Sequence, residues 1–336
     1  MTKNNYLPAL LLLTGLLFPA CREAPLPESH RVVFSLEGTR STETGAEEER
    51  RIERWDLLLY RDGKLTDAVR SDSGDTVTRS LQQGTYTAFA IVNPPESFRP
   101  TDYPDLGTLS LAGPDLADNG PGRFVMAGSR IVSVPVSEGE VQTIGVDRLV
   151  CKVLLRKIST AFTDPVLASR TFVLKALYLT NVCGKSAYAD DLAASVVGSM
   201  EDGWYHRAGD REEPAVDELL ADRGIDRVIP AGDPYTTVHA FYPFPNPLPE
   251  KADSRSEPWC ARRTRLVLEA QIGGQTFYYP ITLPASRRNQ TVAIDEAIIR
   301  NLGSEDPEQD QPGALEIVFS THIRDWDPLY LVEENS

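Results

Sequence analysis

Few residues in the sequence stand at spacings that support catalysis or metal binding. The four histidines, at 30, 206, 239 and 322, include no pair four residues apart. The sequence has no HExxH, GxSxG, P-loop or GxGxxG pattern, so the common hydrolase and nucleotide chemistries have no motif behind them. Acidic turns at 72–78 and 324–328 fall short of a calcium-loop spacing. We therefore expect no catalytic residue, cofactor or metal, and a protein that is not an enzyme.

One cysteine, Cys21, has a setting that suggests a specific modification. An apolar run at 7–18 follows Lys3 and ends just before Ala20 and Cys21. The run is shorter than the ~20 residues of a membrane-spanning helix, but it has the length of a signal-peptide core. A cysteine directly after the expected cut resembles a bacterial lipobox, in which the thiol is diacylated.

This pattern predicts a lipoprotein signal peptide at 1–20, lipidation (palmitate) at Cys21 and a tether at 21–30. Two acyl chains give stable membrane anchoring where a single chain does not. Phe18 and Pro19 stand where leucine and a small residue are commoner. The alternative is an ordinary signal peptide followed by an incidental cysteine.

Three further cysteines, Cys151, Cys183 and Cys260, form no CxxC pair. Zinc and thioredoxin-like sites are therefore excluded by spacing. A disulfide between two of the three stays open for an exported chain, and buried thiols are the favoured interpretation. Cys151 lies on the more apolar face of an alternating segment, which favours a core position.

The composition excludes some partners. The chain has 336 residues, 34 basic and 49 acidic, with a net charge of −15. Such a field repels nucleic acid and anionic lipid head groups, and no basic stripe offsets it. The acidic run Glu47-Glu48-Glu49 stands beside arginines, and we expect it to be a solvated loop.

Short runs rich in β-branched and aromatic residues, separated by turn residues, predict strands along nearly the whole chain. Gly273-Gly274 between two such runs predicts a hairpin. The longest helix candidate is 215–223, which Gly224 follows. Two series of strand patterns share one plan, and this predicts two β-sandwich domains, 31–146 and 147–336.

Exposed aromatic residues are the alternative route to a function, because glycan sites on sandwiches use tryptophan and tyrosine platforms. Trp55 and Trp326 lie in or beside strand patterns, so we expect core or edge positions for them. Trp204 and Trp259 lie in loop-like segments. They are the candidates for a glycan-binding or adhesive surface lipoprotein, although such residues are also common in structural positions.

Seven segments, in order, resemble the fimbrillin superfamily, the lipoprotein-derived pilins and fimbrial anchor proteins of Bacteroidales. They cover most of residues 31–330, and each is weak alone. The segments are "WDLLLYRDGKL", "LQQGTYTAFAIVNPP", "FVMAGS", "VDRLVCKVLLRKI", "HAFYPFPN", "RNQTVAIDEAIIRNLGSEDPEQ" and "IRDWDP".

The resemblance implies an all-β fold of two transthyretin-like Greek-key β-sandwich domains with few short helices. It implies a cell-surface lipoprotein of the outer membrane, held by lipid at Cys21 and forming part of a fimbria (pilus) that serves cell adhesion. Its partners would be other fimbrial subunits, joined by strand addition, and possible contacts include a host surface receptor.

The resemblance leaves two roles open. In polymerising members an arginine-specific protease removes the first strand, whereas anchor members keep it together with the lipid. After the segment 31–38, an acidic, glycine-containing loop offers Arg40, Arg50 and Arg51 as protease cleavage sites. The anchor role leads narrowly, because the loop has no single well-defined cleavage site.

Overall fold

A computed structural model describes the chain from Ser29 to Asp325 with several gaps. The described residues are 29–38, 49, 51–72, 74, 76–99, 102–109, 112–137, 139–189, 204–206, 213–248, 261–319 and 324–325. The predicted signal peptide, Cys21, Arg40 and Arg50 lie outside these residues. So do Trp259, Cys260 and Trp326.

Seven strands form one sheet in the first half of the chain, in the order β3-β2-β5-β6-β7-β1-β4. They are β1 (Ser29–Gly38), β2 (Trp55–Arg61), β3 (Lys64–Ser71), β4 (Thr76–Gln82), β5 (Gly84–Val92), β6 (Met126–Val134) and β7 (Val141–Arg148). The central strands β2 and β5 are covered on both faces, as the sequence of β5 predicts.

The described part of the second half contains twelve further strands. The strands are β8 (Lys152–Leu155), β9 (Ile158–Thr160), β10 (Phe172–Thr180), β11 (Val182–Cys183), β12 (Trp204–Tyr205), β13 (Ala221–Val228), β14 (His239–Phe241), β15 (Arg265–Ile272), β16 (Gln275–Thr282), β17 (Gln290–Ile299), β18 (Leu315–Phe319) and β19 (Arg324–Asp325).

One sheet has the order β13-β10-β15-β16, and another has the order β14-β8-β17-β18, with β9 and β19 also pairing with β17. Strands β11 and β12 form a separate pair. The hairpin predicted at Gly273-Gly274 is confirmed: both glycines have positive φ, and β15 and β16 pair from Ile272↔Gln275 outward.

The helix predicted over 215–223 is wrong. Only Asp217–Leu220 is helical, and the chain then continues as β13, which pairs with β10. Gly224 and Asp226 have positive φ where the register of this pair shifts, so the glycine marks an irregular strand and not a helix end. Leu219 and Leu220 are buried, which explains the apolar pattern that suggested a helix.

The all-β prediction is confirmed, because the described helices are short. They include Leu106–Leu109, Pro165–Ala168, Asp217–Leu220 and a 3-10 turn at Leu116–Asp118. Within the described residues, no helix has the length and apolar character needed to cross a membrane. The division into two transthyretin-like Greek-key sandwiches stays a prediction.

The two halves contact each other through backbone hydrogen bonds. The Leu116 amide donates to the Gly184 carbonyl at 2.8 Å, and the Tyr188 amide donates to the Ala112 carbonyl at 2.8 Å. One main cluster of buried apolar side chains includes residues of both halves, such as Phe34 and Leu268. Packing therefore joins the first sheet to the rest of the chain.

Candidate functional site at the first strand

Strand β1 is the first of the described strands, but it lies inside the sheet. It pairs antiparallel with β4, where Ser29–Ser35 face Gln82–Thr76, and parallel with β7, where Val33–Gly38 face Val141–Val146. We call this position between β4 and β7 the first-strand site. Parallel strands need a long connection between them, so β7 lies far along the chain from β1.

The side chains of β1 alternate between the core and the solvent. Val32 and Phe34 are fully buried and Leu36 is 8% exposed, whereas Arg31 and Glu37 are exposed. This is the period of two that an amphipathic strand requires. The first-strand site therefore presents three apolar pockets in a row, with an aromatic ring in the middle one.

The two neighbours of β1 depend on it for their ladder hydrogen bonds. Among the described strands, β4 pairs with β1 alone, and β7 has only Met126↔Arg148 and Ala127↔Asp147 as pairs with β6. Removing β1 exposes the backbone donors and acceptors of both neighbours together with the three pockets. Such groups are costly to leave without partners.

Of the three predicted cleavage residues, only Arg51 lies among the described residues. Its side chain is exposed, with Nε 3.3 Å from Glu53 Oε1. Its carbonyl accepts a hydrogen bond from the Asn93 side-chain amide at 2.8 Å, and Asn93 Oδ1 accepts from the Glu53 amide at 2.9 Å. The backbone around Arg51 is therefore held by a buried asparagine.

The sequence predicts a solvated Glu49, and this prediction is wrong. The residue is 6% exposed, and Oε1 lies 2.7 Å from Lys152 Nζ and accepts from the Tyr242 hydroxyl at 2.6 Å. Its carbonyl accepts from Arg148 Nε at 3.0 Å. The sequence carried no signal for these contacts, because the partners stand 99 to 193 residues away.

The predicted glycan platforms are not supported where the structure describes them. Trp204 belongs to β12 and is 7% exposed, so it cannot serve as an exposed platform. The reason is packing: its strand pairs with β11, and the neighbouring Tyr205 hydroxyl donates to Asp115. Trp55 is buried as expected, with its indole N–H donating to the Gly74 carbonyl.

Among the described residues, no three His, Cys, Asp or Glu side chains come together as a metal-binding group. Cys151 and Cys183 are buried free thiols, and burial raises the pKa of Cys151 to about 11. The core position expected for Cys151 is therefore confirmed, with Ser286 Oγ 3.5 Å from its sulfur.

A small cleft lies between the edge strands β16 and β18. It encloses about 310 Å³ and is lined by Tyr278, Ile281, Asp310, Leu315 and Ile317, among others. The lining combines apolar side chains with one carboxylate. The cleft contains no cluster of reactive groups and offers only a small binding surface.

The comparisons with known proteins give matches among solved structures. No protein-family model matches the sequence, and no curated protein matches it. The chain is similar to a fimbrilin (FimA) from Porphyromonas gingivalis, with a TM-score of 0.64 and 12% identity over 90% of this chain and 98% of that chain.

Two further solved structures agree with this. A candidate cell adhesion protein from Bacteroides eggerthii has a TM-score of 0.63 and 15% identity, over 88% of this chain and 95% of that chain. The tip fimbrial protein Mfa3 of Porphyromonas gingivalis, truncated at its C-terminus, has a TM-score of 0.53 and 13% identity, over 88% of this chain and 100% of that chain. At such identities the likeness shows the fold, and the resemblance to the fimbrillin superfamily is confirmed at that level.

Proposed function

We propose that the protein is a non-enzymatic cell-surface lipoprotein that acts as a fimbrial anchor or structural subunit and assembles with other pilins by strand addition. The observation that carries the proposal is the position of β1. This strand lies between two neighbours that depend on it, in a chain with the fold of a fimbrilin and of a tip fimbrial protein.

The physical basis of assembly is replacement of one strand by another. When β1 leaves, β4 and β7 present unpaired backbone groups, and the pockets of Val32, Phe34 and Leu36 open. A strand from a second subunit restores both kinds of contact. Main-chain hydrogen bonds supply affinity, and the three pockets supply specificity for apolar side chains at alternate positions.

The second part of the proposal is membrane anchoring by lipid at Cys21. A diacylated N-terminus followed by the tether 21–30 would hold the first sandwich, 31–146, near the outer membrane, and 147–336 would extend from it. A chain that keeps both lipid and β1 would terminate a fimbria as its anchor. A chain cut after Arg40, Arg50 or Arg51 would enter the polymer.

A peptide-exchange experiment tests the first-strand site. Residues 41–47 are replaced by the recognition sequence of a specific protease, the purified protein is cut, and β1 is released in mild urea. A labelled peptide of residues 29–38 should bind the emptied protein and not the uncut one. The matched control peptide carries Phe34→Asp and should not bind. Equal binding of both peptides, or no binding of either, would contradict strand addition.

Mass spectrometry of protein from the native host separates the two roles. A diacylated Cys21 on a chain that retains 31–38 identifies an anchor. A mature N-terminus at Ser41, Arg51 or Ile52 identifies a polymerising subunit. An unmodified Cys21 on a full-length secreted chain would contradict the lipoprotein part of the proposal.

A further inference from the structure

A group of polar side chains surrounds Glu49, the one described residue between β1 and Arg51. We call Glu49, Arg148, Lys152, Tyr242 and Asn289 the Glu49 cluster. Arg148 is fully buried. Its Nε donates to the Glu49 carbonyl at 3.0 Å, and its Nη1 donates to Asn289 Oδ1 at 3.1 Å. The cluster therefore includes residues of both halves and a residue of the segment that follows β1.

The Glu49 carboxylate lies in a protected environment. Its side chain is 8% exposed and that of Lys152 is 13% exposed, at an N–O distance of 2.7 Å. The Lys152 ammonium also lies 6.0 Å from the centre of the Tyr242 ring, and that ring packs on Phe124 at 4.9 Å. A charged pair so shielded from water is costly to break by removing one partner.

Two anchored points flank the backbone ahead of β2. Glu49 is held by Lys152, Tyr242 and Arg148, and the Arg51 carbonyl is held by Asn93, which is 2% exposed. A protease binds its substrate as an extended segment, so cleavage after Arg51 requires local opening of these contacts.

We propose that Glu49 is a positioning residue that holds the chain behind the first strand against the second half, and so shields the peptide bond after Arg51 from proteases. This inference rests on the proposed function in one respect: the proposed function supplies the role of cleavage, which is to release the first strand. A cut after Arg40 leaves Glu49 on the body of the protein, whereas a cut after Arg50 or Arg51 removes it. In the second case Arg148 and Lys152 lose the acceptors that Glu49 supplies.

Limited proteolysis of the full chain by an arginine-specific protease tests this. Cleavage after Arg51 is followed by the mass of the fragment that begins at Ile52. Glu49→Gln should raise the rate of this cleavage at least tenfold, because the rate follows the population of the locally open form. Glu53→Gln is the matched control: it removes an exposed carboxylate paired with Arg51 and should change the rate less than twofold.

Two further variants separate the Glu49 contact from a general loss of stability. Lys152→Met breaks the same pair from the other side and should give a similar acceleration. The charge-swapped double variant Glu49→Lys with Lys152→Glu should return the rate toward that of the unmodified chain. Hydrogen exchange of the β15–β16 hairpin should stay unchanged in each.

The inference is overturned if Glu49→Gln and Glu53→Gln behave alike, or if the double variant is as sensitive as each single one. It is also overturned if faster cleavage is accompanied by faster exchange throughout the second half. The proteolysis rates do not depend on polymer formation. The experiment therefore tests the role of Glu49 even if the chain does not assemble by strand addition.

Discussion

At the scale of single residues, Phe34 is the largest buried side chain of the first strand. The ring is fully buried between Val32 and Leu36, which lie two residues away on the same face of β1. No other aromatic residue occurs in this strand. We therefore expect Phe34 to contribute more to the stability of the first-strand site than any other side chain of β1.

Phe34→Ala should lower the free energy of unfolding by about 3–5 kcal/mol, because it removes a buried ring and leaves a cavity. Urea denaturation followed by circular dichroism measures this. Glu37→Ala, at an exposed position of the same strand, should stay within about 0.5 kcal/mol of the unmodified protein. A Phe34→Ala effect as small as that of Glu37→Ala would contradict the assigned packing.

The buried thiols give a second residue-scale prediction. Burial favours the neutral thiol and raises the pKa of Cys151 to about 11. The stability that this shift contributes is fully present below the unfolded thiol pKa of about 8.5 and is lost as pH rises toward 11. At pH 8, iodoacetamide should label Cys151 and Cys183 at least roughly 100-fold more slowly in the folded protein than in urea.

Peptide mapping by mass spectrometry reads out the labelling of each cysteine separately. Cys151→Ser should remove its own labelled peptide in urea and leave the slow labelling of folded Cys183 unchanged. Rapid labelling of either cysteine in the folded state would show that these thiols are accessible.

The sequence patterns predict which side chains are buried better than they predict which side chains are in contact. The alternation around Cys151 placed it correctly in the core, because one face of a strand shares one environment. The acidic run around Glu49 predicts a solvated side chain, yet its carboxylate lies against Lys152, 103 residues away. Local sequence contains no record of a contact formed by the folded chain as a whole.

At the scale of elements, most strands could be predicted, and the exceptions have physical reasons. Gly273-Gly274 fixed a hairpin because both turn residues need positive φ. The segment 215–223 suggested a helix, since Leu219 and Leu220 fit a helical stripe. Pairing with β10 outweighed that local preference and made β13 a strand.

The dependence of β4 on β1 gives an element-scale prediction. When the first strand is released from a chain cut within 41–47, the amides of β4 should lose protection from hydrogen exchange. The amides of β5 should keep theirs, because β5 pairs with β2 and β6. Exchange measured by mass spectrometry before and after release tests this. Unchanged protection of β4 would mean that another contact holds it.

At the scale of the whole molecule, the junction between the halves rests on a close backbone approach. A Cβ added at Gly113 would overlap the Ser186 carbonyl, beside the hydrogen bond from the Tyr188 amide to Ala112. A division of the chain near residue 146 stays a prediction from the repeat of strand patterns. The contacts between the halves could not be predicted, since they link loops without any motif.

Gly113→Ala should destabilise the protein by about 1–3 kcal/mol, because the two loops must separate to admit a methyl group. Gly107→Ala is the control: the added Cβ meets no atom within 4 Å and replaces glycine in a helical turn. That change should be neutral or stabilising by up to about 1 kcal/mol. Urea denaturation measures the free energy of unfolding of the two variants. Equal effects would contradict the close packing of Gly113 against Ser186.

The parallel pairing of β1 with β7 has a consequence for how the chain is made. Synthesis proceeds from the N-terminus, so β1 emerges early, while its partner Thr143 lies 108 residues beyond Ser35. Pairing across such a separation is slow. Strand β1 can pair with β4 once residues 76–82 have been made, but its other ladder stays open until residues 141–146 follow. During that interval the unpaired side of β1 exposes the nascent chain to aggregation.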